Sequence, residues 1–204
     1  MSTALDQLLQ GEARLWRGRE RSRGTPGLAT GSAALDAALP GGGWPRGALT
    51  ELLAERPGIG ELSLLLPALV QLTREDRAVA LVGPPHNPCT AALLAAGLRL
   101  SQLYLIEASD DDIYWAAELL LREGGCDAVL LWPQRHDERR LRRLQLAAED
   151  AGSWVLVAAG PSSARRASPA ALRLGLRADG ADLCAELLKC RGGQRRQLRL
   201  PRAR

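Results

Sequence analysis

From residue 30 onward, the chain alternates between short, continuously apolar runs and longer, more polar segments. Five runs have the length of a buried strand, and they cover residues 48–54, 78–83, 103–107, 128–132 and 154–159. Runs that stay apolar at successive positions are typical of parallel strands covered on both faces. The alternation predicts an α/β domain in which right-handed crossovers place helices on both faces of a mainly parallel central sheet.

Segments of helical length separate these runs. Helices are predicted at residues 61–72, 90–96, 110–123 and 138–150. Ser109 before three aspartates and Gly124 after the last helical residue are typical of a helix start and a helix end. Further along, two strand-like runs flank Asp179-Gly180, a dipeptide that favours tight turns. They predict a C-terminal β-hairpin over residues 171–191.

Three regions are expected: an N-terminal leader at residues 1–29, the α/β domain at 30–191 and an arginine-rich tail at 192–204. The tail contains five arginines and no acidic residue, and we expect it to be mobile. Trp16 in the leader either anchors that segment on the domain or enters a partner's pocket. The candidate partner-binding residues are Trp16, Arg195, Arg196, Arg199, Arg202 and Arg204.

Composition narrows the class of protein. A chain of 204 residues with 46% hydrophobic content can bury one substantial core. The net charge of +4 permits anionic partners, DNA included, without requiring them. The four cysteines never form a C-x-x-C pair, so neither a zinc site nor a disulfide framework is expected. With no secretory signal and no run of about 18 apolar residues, we expect a cytoplasmic protein without membrane contact.

The segment after the first predicted strand has the layout of a phosphate-binding loop. That loop follows the pattern G-x-x-x-x-G-K-[ST], in which the lysine meets the phosphates and the hydroxyl reaches magnesium. Glycines stand at 58 and 60, but the other pattern positions hold Glu55, Glu61 and Leu62. At ~4 Å and an effective dielectric near 20, a glutamate in place of the lysine turns about 4 kcal/mol of attraction into repulsion. Backbone amides at the start of a helix stabilise an anion by only about 0.3–1 kcal/mol. The sequence therefore predicts a vestigial phosphate loop and no bound cofactor.

Other polar groups have a structural interpretation beside a functional one. His86 and His136 stand near strand ends, where a general base could lie, but no nucleophile pattern accompanies them and both are expected to be loop residues. Asp110–Asp112 are successive helix positions that point in different directions, which favours a helix N-terminus over a metal site. Five arginines within residues 135–143 form either a DNA-contacting face or a solvated one. No catalytic residue or metal ligand is predicted.

Two motifs resemble known families. Thr30-Gly-Ser32, Leu35-Asp36, Gly42-Gly43 and Glu51 resemble the entry segment of RecA recombinases, which leads into their phosphate loop. The string LPGGGWPRGALTELL at residues 39–53, with Leu15-Trp16-Arg17 upstream, resembles the ImuA family of RecA-like proteins from bacterial translesion-mutagenesis cassettes. The resemblance implies a RecA-like fold and a part in the SOS response to DNA damage.

The resemblance also indicates which groups are missing. A RecA-type ATPase has a glutamate after its second strand and an aspartate ending a later one, whereas these runs lead into Gly83-Pro84 and Trp132-Pro133. Without the lysine, the hydroxyl and both carboxylates, the pattern lacks the groups that phosphoryl transfer needs. We therefore expect a non-catalytic adaptor that binds an ImuB-like inactive Y-family polymerase homologue and RecA, and through them serves an error-prone polymerase subunit.

Two alternatives remain open. One is a SulA-like cell-division inhibitor that binds FtsZ, because that family has a degenerate RecA-like fold. The other is an ATP-dependent recombinase, which the missing residues disfavour.

Overall fold

A computed structural model describes residues 26–201, in which one eight-stranded sheet carries helices on both faces. The strands are β1 (Ala48–Ala54), β2 (Val79–Val82), β3 (Leu103–Ile106), β4 (Ala128–Leu131), β5 (Trp154–Ala159), β6 (Leu172–Asp179), β7 (Asp182–Cys190) and β8 (Gln197–Pro201). The helices are α1 (Ala33–Ala38), α2 (Glu61–Arg74), α3 (Thr90–Ala95), α4 (Asp110–Arg122) and α5 (Glu138–Ala151). Two short 3-10 helices cover Leu100–Gln102 and Pro161–Arg165.

The strand order is β3-β2-β4-β5-β1-β6-β7-β8. The pairings that join β3, β2, β4, β5, β1 and β6 are all parallel, and β6, β7 and β8 continue as an antiparallel extension. The predicted α/β class, with a mainly parallel sheet covered on both faces, is therefore confirmed. Because β1 lies between β5 and β6, its carboxyl end opens near the middle of the sheet.

The sheet extends further than the sequence predicted. Residues 197–201 were expected to belong to a mobile tail, but they form β8, which pairs with β7 and buries Leu200 opposite Leu183. The period of two in Gln197-Leu-Arg-Leu-Pro201 supplies one apolar face, which the high arginine content obscured. The C-terminal hairpin is thus part of a three-stranded extension. The core also begins earlier than residue 30, because Leu28 is buried and forms an antiparallel bridge with Trp44.

Two apolar layers hold the sheet, one on each face. Leu49 of β1 faces the layer under α4 and α5, while Leu52 faces the layer under α2, as alternating side chains of a strand must. In the second layer, the rings of Trp44 and Trp154 stack with their centroids 5.4 Å apart. The indole nitrogen of Trp154 donates to Thr50 Oγ1 at 3.2 Å, which satisfies a buried polar group. Over residues 26–201, no helix has the combination of length and apolarity needed to cross a bilayer.

Candidate functional site

The carboxyl ends of β1, β4 and β5 border a cleft of about 340 Å³, which we call the strand-end cleft. Its walls include Pro57 from the β1–α2 connection, Glu61 at the start of α2, Tyr114 from α4, and Trp132 and His136 from the β4–α5 connection. In open α/β sheets, ligands bind in crevices at this edge. The strand-end cleft is therefore the place where a nucleotide site is expected.

The predicted phosphate loop occupies residues 55–60 and turns directly from β1 into α2. Gly58 has φ 77° and Gly60 has φ 107°, both in the left-handed region that favours glycine. Ile59 between them is buried in the core and holds the turn against the sheet. The loop thus keeps the backbone geometry that the fold requires at this turn.

The side chain of Glu61 folds back over the amides of this loop. Its Oε1 accepts a hydrogen bond from the Gly58 amide at 2.9 Å, and its Oε2 accepts one from the Gly60 amide at 3.1 Å. Backbone amides at the start of a helix are the donors that ordinarily hold a phosphate in such a loop. Here a carboxylate of the chain itself uses them, so an incoming phosphate would have to displace a tethered anion.

We expect Glu61→Ala to lower the free energy of unfolding by about 1 kcal/mol, because it removes the two hydrogen bonds that tie the amides of Gly58 and Gly60 to the start of α2. The amides of Gly58 and Gly60 should also exchange their hydrogens faster. Urea denaturation and hydrogen exchange measure the two effects. Glu55→Ala is the matched control, since Glu55 is exposed and its side chain makes no hydrogen bond among the described residues. Equal effects of the two changes would contradict the role of Glu61 in holding the loop.

The other groups of a nucleotide-hydrolysing site are also replaced. Leu62 occupies the hydroxyl position, and the carboxyl end of β2 continues into Gly83, where an added Cβ would lie 2.5 Å from the Ile113 side chain. After β4 the chain continues into Trp132, whose side chain lines the strand-end cleft. In the described part of the chain, no group of three or more His, Cys, Asp or Glu side chains is placed to hold a metal ion.

Tyr114 closes one side of the strand-end cleft. Burial raises the pKa of its phenol to about 12, although a hydrogen bond from the Asp137 backbone opposes the shift. The neutral hydroxyl donates to the Arg135 carbonyl oxygen at 2.8 Å, and the guanidinium of Arg140 lies 5.6 Å from the ring centroid. Tyr114 therefore fixes the β4–α5 connection against α4.

A buried charged pair joins β1 to β6, and no pattern in the sequence predicted it. Glu51 of β1 is fully buried, and its Oε2 lies 2.5 Å from Nε of Arg173, which is 7% exposed. The Nε–H bond does not point at that oxygen, so the contact is an ion pair without an aligned hydrogen bond. The guanidinium also donates to the carbonyl oxygens of Ser163 and Arg166, at 2.6 and 3.1 Å. The pair thus fastens the β5–β6 connection to the sheet.

His136 joins this pair. Its Nδ1 lies 3.7 Å from Glu51 Oε1, and its Nε2 lies 3.0 Å from the carbonyl oxygen of Ala167. Because both ring nitrogens face partners within the protein, His136 links the β4–α5 connection to the β5–β6 connection. Two features of the sequence correspond to this buried pair. One glutamate stands within the largely apolar β1, and one arginine stands within the apolar start of β6.

The arginines of residues 135–143 divide between solvent and the neighbouring helix. Arg143 forms an ion pair with the nearly buried Glu118 of α4 at 2.7 Å, and Arg140 donates to the Asp111 carbonyl oxygen at 2.8 Å. Asp110 accepts from the Gln134 amide at 2.6 Å. These contacts serve packing between α4 and α5.

Three of the predicted partner-binding residues belong to the described part of the chain. Arg195 and Arg196 are exposed in the connection between β7 and β8. Arg199 on β8 lies 2.8 Å from Asp179 and 3.3 Å from Asp182, so its charge is already balanced on the sheet. Trp16, Arg202 and Arg204 lie outside the described residues.

Curated RecA proteins are similar to this chain over part of their length. RecA of Borreliella afzelii is 28% identical over 110 residues, which are 53% of this chain and 30% of that protein. RecA of Rubrobacter xylanophilus is 30% identical over 135 residues, 64% of this chain and 39% of that protein. RecA of Chlorobaculum parvum is 34% identical over 106 residues, 51% of this chain and 30% of that protein. The matched parts thus span 30% to 39% of these relatives.

A family model also matches more than half of the chain. Residues 37–164 match the MT3502 N-terminal domain family, and this range includes the phosphate loop, the strand-end cleft and strands β1–β5. Together with the sheet described above, the similarity to RecA supports a RecA-like α/β fold. Because the match covers more than half of its residues, the chain belongs to the MT3502 N-terminal domain family and is a distant relative of RecA.

Proposed function

We propose that this protein is a non-catalytic RecA-like accessory protein of translesion DNA synthesis. It would act as an adaptor between the recombinase and an error-prone polymerase complex, by binding RecA and an ImuB-like inactive polymerase homologue. The observation that carries this proposal is the Glu61 carboxylate on the amides of Gly58 and Gly60. A loop whose amides bind a carboxylate of the same chain keeps the backbone turn that the fold needs, but it would no longer bind a nucleotide.

Two further lines support the adaptor role. The relationship to RecA fits a part in DNA repair and recombination. The string at residues 39–53 resembles the ImuA family, and within it Trp44 stacks on Trp154 while Glu51 anchors the β5–β6 connection through Arg173. Trp44 and Glu51, two of the residues that carry the resemblance, therefore serve the core of the fold.

Co-purification tests the proposal. The full chain, expressed in cells with a polymerase homologue of the Y family, should retain that homologue on an affinity column. The variant Arg195→Gln/Arg196→Gln should retain at least about fivefold less, because charge-assisted contacts are worth about 1.5–3 kcal/mol each. Point variants are preferable to deleting residues 192–204, since that deletion would remove β8 and its buried Leu200.

The matched control is Arg139→Gln/Arg142→Gln, which removes the same charge from exposed positions of α5. Undiminished retention by the control and reduced retention by the first variant would support the proposal. Stable binding to FtsZ without any polymerase homologue would overturn it in favour of a cell-division inhibitor.

A further inference from the structure

A second concave site lies between the β5–β6 connection and the end of β7. We call it the basic cleft, and its volume is about 550 Å³. Its lining includes Arg166 and Ser168 on one side, and Lys189 and Arg195 on the other, with Arg173 at the base. None of the lining residues carries a carboxylate.

The basic cleft has an excess of positive charge. Neither residues 160–178 nor residues 187–201 contain an acidic side chain. The charge of Arg173 is balanced by Glu51, whereas Arg166, Lys189 and Arg195 have no carboxylate within 4.0 Å among residues 26–201. Three cations that border one concavity therefore remain available to an anion.

Lys189 lines this cleft in surroundings that disfavour its positive charge. Its Nζ donates to the Ser168 carbonyl oxygen at 2.9 Å, which places the ammonium at the opening. Burial lowers the pKa of Lys189, and repulsion from Arg191 and Arg173 lowers it further. A bound anion would relieve this repulsion, as an opposite charge nearby stabilises the charged form of a lysine.

We propose that the basic cleft binds an acidic peptide segment of a protein partner through the carboxylates of that segment. Arg166 and Arg195 offer planar forks that match a carboxylate, and Lys189 adds a point charge at the same cleft. The inference deepens the proposed adaptor function and rests on it for the existence of a protein partner.

The lining favours a peptide over a nucleic acid. Single-stranded nucleic acids bind on aromatic side chains that stack with the bases, and none of the residues that line the basic cleft is aromatic. Leu188, Ala164 and Ala167 instead give the cleft an apolar part, which suits the aliphatic portion of peptide side chains.

Fluorescence anisotropy with the full chain tests the inference. The probes are a labelled peptide of ten residues that alternates Glu and Leu, a matching peptide with Gln in place of Glu, and a single-stranded oligonucleotide of similar charge. We expect the acidic peptide to bind at least about tenfold more tightly than the Gln peptide. Lys189→Gln/Arg195→Gln should weaken it about tenfold or more, and raising the salt concentration should weaken it as well.

Arg139→Gln/Arg142→Gln serves again as the charge-matched control, and Arg166→Glu is an independent variant on the other side of the cleft. Loss of acidic-peptide binding in both cleft variants, with the control unchanged, would support the proposal. Equal binding of the two peptides would overturn it, and so would preferential oligonucleotide binding that the cleft variants abolish. If the polymerase homologue still co-purifies while the acidic peptide fails to bind, the basic cleft is refuted and the adaptor function stands.

Discussion

Replacing Arg173 with methionine is expected to lower the free energy of unfolding by about 3–5 kcal/mol, because it leaves a buried carboxylate with only the His136 ring beside it. Glu51 is fully buried, and Arg173 is its nearest cation at 2.5 Å. Methionine keeps much of the aliphatic volume of arginine, so the packing loss is small compared with the loss of charge balance. Urea denaturation of the wild type and the variant gives the difference.

A double-mutant cycle separates the ion pair from the other contacts of Arg173. Replacing both partners with apolar residues, as in Glu51→Leu/Arg173→Met, should restore most of the stability, because the unbalanced charge is then gone. It should not restore all of it, since the guanidinium also holds the carbonyl oxygens of Ser163 and Arg166. Arg177→Met on the same strand is the control, and at this exposed position a change within about 0.5 kcal/mol is expected. A loss below about 1 kcal/mol for Arg173→Met would contradict the role of the pair.

The parts of the fold that could be predicted are those in which burial requires a recognisable pattern of apolar residues. Strands β1–β5 are continuous apolar runs, since parallel strands under helices have no solvent side, and the structure places each within one residue of the predicted limits. β8 was missed because its apolar face is only Leu198 and Leu200 among arginines. Leu28 was missed because a single bridge gives no periodic signal.

The parts of the candidate site that could be predicted are those formed by residues close together in the sequence. The phosphate loop and its missing groups follow from residues 55–62, which are consecutive in the chain. The pairing of Glu51 with Arg173 depends on the register of β1 against β6, in which these two residues stand directly opposite each other. That register joins residues far apart in sequence, and no local pattern specifies it. The fold of the Glu61 side chain onto its own loop depends on one rotamer, which the sequence also does not specify.

Restoring the phosphate-binding signature is expected to create ATP binding without hydrolysis. The variant Glu55→Gly/Glu61→Lys/Leu62→Thr supplies the first glycine, the lysine and the hydroxyl of the pattern, and it removes the carboxylate from the amides of Gly58 and Gly60. The change from anion to cation at ~4 Å from a phosphate is worth roughly 2 kcal/mol in water and about 8 kcal/mol at an effective dielectric of 20. Since the loop is largely exposed, we expect the lower part of this range, which is at least about a thirtyfold gain in affinity.

Isothermal titration calorimetry with magnesium and ATP measures the gain, and phosphate release measures turnover. Turnover should stay at the level of the blank, because β2 continues into Gly83 and β4 into Trp132, where a hydrolysing enzyme needs carboxylates. Glu123→Lys changes an exposed residue after α4 by the same charge as Glu61→Lys and should leave binding unchanged. Micromolar ATP binding by the unaltered chain would refute the proposal that Glu61 blocks the loop, because the Glu61 carboxylate and a phosphate compete for the same two amides.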